Sequence, residues 1–194
     1  MRLKQLYITS IAIFMATSVP AFANDRLVAH KPSHSQSALP CGMCHLRENP
    51  ELMPKLKRVN NVVYLEECGA CHFAYQPEWL PQRSWKKIIG GLKQHFGEEI
   101  ELSPGRTRIL TRYVMQNSAD LSKAARAKMA MASLPQTETP IRVMDIPYIH
   151  QKHQKISADV IARKSIRSFA NCEACHISAR GGMYIQKHIN IPPQ

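Results

Sequence analysis

Apolar residues recur at helical spacing in two stretches of this chain, and no stretch alternates in the two-residue rhythm of a strand. Trp85, Ile88, Ile89, Leu92, His95 and Phe96 share one face of a predicted helix that Ser84 caps and Gly97 ends, so His95 is expected to face the interior. Ile109, Leu110, Tyr113 and Val114 form the stripe of a second helix, with Ser103 as its cap and Pro104 at its first position. Shorter helices are expected from Val62 toward Cys68 and from Pro147 toward Ile156. In the latter, His150 and His153 stand three apart on one face. Tyr75 to Pro81 reads as extended or turn-like. Ser118 to Pro140, rich in Ala, Lys and Met, reads as a mobile helix or linker; its Met129 and Met131 could bind iron in principle, but such residues are more often gap fillers or exposed. The pattern predicts an all-α, loop-rich fold.

The N-terminus carries a different signal. Arg2 and Lys4 precede an apolar run from Leu6 to Val19, which closes on Ala21-Phe22-Ala23 before Asn24. That is the charged region, apolar region and small-residue cleavage site of a secretory signal, residues 1–23. The run is short for a bilayer span and is broken by Thr9, Ser10, Thr17 and Ser18, so a retained anchor is the weaker reading. Residues 24–60 then form an N-terminal extension and 61–194 the main domain, a size that suits one core.

Composition adds a constraint on that core. With 13 Pro, 8 Gly and 7% aromatic residues, the chain is expected to be loop-rich. The formal charge of +12 falls to +10 without Arg2 and Lys4, so the mature chain is basic. Lys55, Lys57 and Arg58, and the group Arg83, Lys86, Lys87 and Lys93, are candidate docking surfaces for an acidic partner. No nucleic-acid-binding motif accompanies the charge, which excludes nucleic acid as the expected partner.

All six cysteines lie in one pattern, Cys-x-x-Cys-His, which occurs at Cys41-Cys44-His45, Cys68-Cys71-His72 and Cys172-Cys175-His176. It is the attachment sequence for c-type haem: two thiols add to the porphyrin vinyl groups, and the next imidazole binds the iron. Zinc would need paired half-sites, and three leave one unmatched. With 9 His in 194 residues, three such coincidences have a chance on the order of one in ten thousand. Three covalently attached haem c groups are therefore expected, forming much of the core, and haem-free protein is expected to be largely unfolded. Haem attachment behind an export signal implies the periplasm.

A haem iron held by one His leaves a sixth position, and what fills it decides between electron transfer and chemistry. Six further imidazoles are available: His30, His34, His95, His150, His153 and His188. His95 is the leading partner for the second haem and His153 for the third, with His150 as its rival. For the first haem His34 is preferred, with His30 near in sequence and His188 reaching from the C-terminus.

The stretch Glu67 to Tyr75 around the second motif, Leu80-Pro81-Gln82-Arg83-Ser84-Trp85, Gly90-Gly91-Leu92 and His95-Phe96-Gly97-Glu98 resembles the periplasmic dihaem cytochrome c family. So do Pro147-Tyr148, Lys152-His153, and Cys172 to His176 with Gly182 and Ile191-Pro192. The likeness covers about residues 61–194 and leaves the motif at Cys41 as an addition. It implies bis-His electron carriers that exchange electrons with membrane b-type cytochromes or soluble haem proteins, with His72 and His95 on one iron and His153 and His176 on another. The expected function is electron transfer without catalysis. The alternatives are a haem peroxidase or small-oxyanion reductase with one open iron, and a haem subunit of a membrane redox complex.

Overall fold

The computed structural model describes residues 54–193. The motif at Cys41, Cys44 and His45, and with it His30, His34 and the predicted signal, lies outside them. Six α-helices follow in order: α1 (Val62–Cys68), α2 (Gln82–Gly90), α3 (Pro104–Gln116), α4 (Ala125–Ser133), α5 (Pro147–His153) and α6 (Ala158–Ile161). Short 3-10 turns join them, and no strand occurs among the described residues. None of these helices is long and apolar enough to cross a membrane.

The local signals account for most of these bounds. Asn61 Oδ1 accepts from Tyr64 N at 2.9 Å and starts α1. Ser103 accepts from Arg106 N and Pro104 occupies the first turn of α3, where its missing N–H costs nothing. The helix expected from Ser84 instead begins at Gln82 after Pro81 and stops at Gly90. Ser84 is a fully buried residue inside it rather than its cap. The Gly90-Gly91 pair ends the helix because two glycines favour the unfolded chain. The chain continues as a 3-10 turn, Leu92–Gln94, and His95 lies beyond it in a tight turn. His95 N donates to Glu98 O and Glu98 N to His95 O, with Phe96 and Gly97 at φ 56° and 100° between them. Phe96 is accordingly 48% exposed instead of sharing the apolar face.

The core gathers Leu56, Val59, Tyr64, Trp79, Trp85, Leu110, Val114 and residues of α4 and α5. Tyr64 of α1 meets Trp85 of α2 edge-on at 6.2 Å and Tyr113 of α3 at 5.1 Å, so one buried aromatic ties three helices. Leu110 and Val114 are fully buried, whereas Ile109 of the same stripe faces solvent. The segment expected to be mobile is a core helix: Ala127 and Ala130 of α4 are fully buried, and α4 packs on α5. Ser133 Oγ, at the end of α4, accepts from Tyr148 N at 3.0 Å and caps α5. Among the described residues one carboxylate is buried without an ion pair. Glu78 accepts from Ser122 Oγ at 2.6 Å and from the Lys57 backbone N–H, so it ties residues 54–60 to the body.

The C-terminal segment returns over this body through Gly182, which sits at φ 74°. A Cβ there would lie 2.0 Å from Leu56 O. Gly182→Ala is expected to lower stability by about 1–3 kcal/mol from the backbone conformation alone, with the clash adding to it. Thermal unfolding of the haem-loaded protein measures this, and an unchanged midpoint would refute it.

Candidate haem sites

Each described Cys-x-x-Cys-His motif presents its histidine to a second imidazole from a distant part of the chain. His72 lies 6.2 Å from His95 between ring centroids, with the planes at 22°. His176 lies 5.9 Å from His153, with the planes at 71°. Two imidazoles on opposite sides of one metal ion, each bound at about 2 Å, put their ring centres roughly 6 Å apart. Both pairs have that spacing.

Ring nitrogens in both sites are set up to donate lone pairs. His72 Nδ1 donates to Phe73 O at 2.7 Å, and His153 Nδ1 to Ile149 O one helical turn earlier, also at 2.7 Å. A carbonyl only accepts, so both rings carry the proton on Nδ1 and leave Nε2 free for a metal. Burial pushes the His176 imidazole down to about 4, helped by neighbouring His153 and Arg126. Burial, and then His72, lowers His95 as well. Burial thus favours the neutral form that a metal binds in both rings.

Two of the thiols lie in surroundings that disfavour the thiolate. Burial raises Cys68 to about 11 and Cys172 to about 12, with Glu67 adding to the first and Cys175 and Glu173 to the second. Zinc-binding or redox cysteines sit in surroundings that lower the thiol instead. The four described cysteines are not joined in disulfides, and among the described residues no three of His, Cys, Asp or Glu gather around a common point.

Two cavities adjoin the motifs. One, of about 540 Å³, is lined by Cys71, His72, Ser168, Asn171 and Arg180, though not by His95. The other, of about 340 Å³, holds His153, Cys172, Cys175 and His176 against Trp79 and Tyr184, with several isoleucines completing its wall. Both fall in the ordinary range of ligand pockets, roughly 300–1,000 Å³. The second cavity, with two thiols and two facing imidazoles in its wall, fits a c-type haem; at the first, Cys71 and His72 line the cavity and His95 faces His72.

A family model for dihaem cytochrome c matches residues 64–184. The chain belongs to the dihaem cytochrome c family. A dihaem cytochrome c from Rhodobacter sphaeroides is 36% identical, with a TM-score of 0.59 over 66% of this chain and 99% of its own. A second structure from that organism is 30% identical, with a TM-score of 0.52 over the same shares. The dihaem cytochrome c of Shewanella baltica OS155 is 27% identical at a TM-score of 0.54, covering 68% of this chain and 93% of its own. No curated protein matches. The family carries two haems, and its match begins after the motif at Cys41.

The other candidate residues take different places in this family member. His150 is exposed on α5, three residues before His153. His188 Nδ1 is engaged with Ser178 Oγ at 2.5 Å, in the segment that clasps the third motif through the His176–Ile189 bridge. Met129 is exposed and Met131 half-buried. Of the candidate docking cations, Arg83 donates to Glu138 O and Pro135 O and braces a loop, whereas Lys86, Lys87 and Lys93 are exposed. Sequence reasoning missed Gln76, which is fully buried, and Tyr184, which packs on His176. Nothing in the hydrophobic pattern marks either residue.

Proposed function

We propose that this chain is a periplasmic trihaem electron carrier. Cys68 and Cys71 hold a haem whose iron His72 and His95 bind, and Cys172 and Cys175 hold one bound by His153 and His176. Cys41, Cys44 and His45 hold a third, with His34 as the preferred second ligand. The observation that carries the reading is the pair of imidazole couples, each at the spacing one metal ion requires.

Haem, when bound, supplies a one-electron change at iron. The chain's own residues decide how easily that change occurs. The carbonyl bonds of His72 and His153 fix ring orientation and raise basicity, so the ligands need not move when charge changes. Two imidazoles per iron leave no position for substrate, which favours electron transfer over catalysis. Trp79, Tyr184 and the isoleucines around His176 give that site an apolar wall. Exposed Lys55, Lys57 and Arg58, with Lys86, Lys87 and Lys93, offer a basic face to an acidic redox partner, such as a membrane b-type cytochrome or a soluble haem protein.

Intact mass of the exported protein is expected to equal the chain without residues 1–23 plus three haems. Electron paramagnetic resonance of the oxidised form is expected to show low-spin iron. A mass without haem, or a spectrum dominated by high-spin iron, would overturn the proposal.

A further inference from the structure

The two imidazole couples differ in one respect that their spacing conceals: the planes of His72 and His95 are nearly parallel, at 22°, and those of His153 and His176 are nearly crossed, at 71°. The final torsion of a histidine side chain is soft, so something must hold each ring at its angle. In three cases out of four the holder is close at hand. His72 and His153 are tied by carbonyl bonds, and the His95 ring packs edge-on against Phe96 at 4.8 Å.

His176 has no such bond. Among the described residues its Nδ1 is buried without a hydrogen-bond partner. Besides His153, the ring packed on it is Tyr184, at 5.2 Å and 61°. Tyr184 is itself fixed from two sides. Its ring meets Trp79 edge-on at 5.1 Å, and its hydroxyl donates to Gln76 Oε1 at 2.7 Å. Gln76 is fully buried, and its Nε2 donates to Ala179 O at 2.6 Å, three residues beyond His176. Both functions of the amide are thus spent on the segment that carries His176. A buried amide so placed is costly unless satisfied, and it has no role in the helices around it.

We propose that Tyr184, anchored by Gln76, is a positioning residue that holds His176 crossed against His153 and so makes the two irons electronically inequivalent. The inference rests on the bis-His reading. Parallel imidazole planes act together on one of the two iron d orbitals of π symmetry and separate them in energy. Crossed planes act on both and leave them nearly equal. The first arrangement gives a rhombic low-spin signal and the second a strongly anisotropic one. Orientation of an axial ligand by its surroundings is one of the protein's means of tuning a haem.

Low-temperature electron paramagnetic resonance of the full-length oxidised protein tests this. The wild type is expected to show both signal types, with His153→Met abolishing the strongly anisotropic one. Tyr184→Phe removes one oxygen and keeps the ring. It is expected to shift that signal toward the rhombic form, leaving the signal of the His72 site in place. The double variant Gln76→Leu with Tyr184→Phe removes the orphaned amide, so it restores packing that the single change disturbs. The same shift is expected there. A strongly anisotropic signal unmoved in the haem-loaded single or double variant would overturn the inference and leave the bis-His reading standing, as would two rhombic signals in the wild type. Absence of low-spin iron from the wild type would instead overturn the reading beneath it.

Discussion

Replacing His153 by alanine is expected to open one iron position and leave the others filled. The oxidised spectrum should gain one high-spin contribution, and the reduced protein should bind carbon monoxide at that site. The potential of the same haem should move by on the order of 0.1 V, within the roughly 0.8 V that axial ligation spans. His150→Ala is the internal control. His150 shares α5 with His153 but is exposed, so its removal should change neither spectrum nor ligand binding. Simple damage to α5 would affect both variants alike; loss of an iron ligand separates them. Equal carbon monoxide binding by the wild type and His153→Ala would remove His153 from the coordination proposed here.

The chemistry of the sites was more legible in the sequence than the scaffold that presents them. Cys68, Cys71, His72, Cys172, Cys175 and His176 lie in contiguous motifs, so local spacing alone marks them as candidates. His95 does come to face His72, but from a turn and not from a helix face. The apolar rhythm running through Leu92 to Phe96 outlasted the helix, because Gly90-Gly91 interrupted the backbone without interrupting the pattern. Helix α4 was misread for the opposite reason. It buries Ala127 and Ala130, and small residues at a close helix contact carry little hydrophobic contrast. Gln76 and Tyr184 were beyond reach altogether. They are 108 positions apart, and a hydrogen bond between loops leaves no periodic trace.

The uneven distribution of the core sharpens the expected consequence of losing a haem. All members of the main buried cluster lie between Leu56 and Ile149. Beyond α5 the described chain has only the four-residue α6 and three 3-10 turns, with Ile166, Ala179 and Ile185 as its buried apolar side chains. Ile156, Ile161, Ile189 and Ile191 line the cavity beside His176 instead of packing into that cluster. Segments this short do not hold themselves together in water. Cys172→Ser with Cys175→Ser is therefore expected to release residues 154–193 while α1 to α5 stay folded, a narrower outcome than unfolding of the whole chain. Hydrogen exchange read by mass spectrometry should show protection in that segment falling about a thousandfold, ~4 kcal/mol. Amides of α1, α3 and α4 should change far less, because Tyr64, Leu110 and Val114 pack on protein. Retained protection across 154–193 in the haem-free variant would mean that the segment folds by its own contacts. Uniform loss would mean that the cluster around Tyr64 depends on haem as much as the C-terminal wall does.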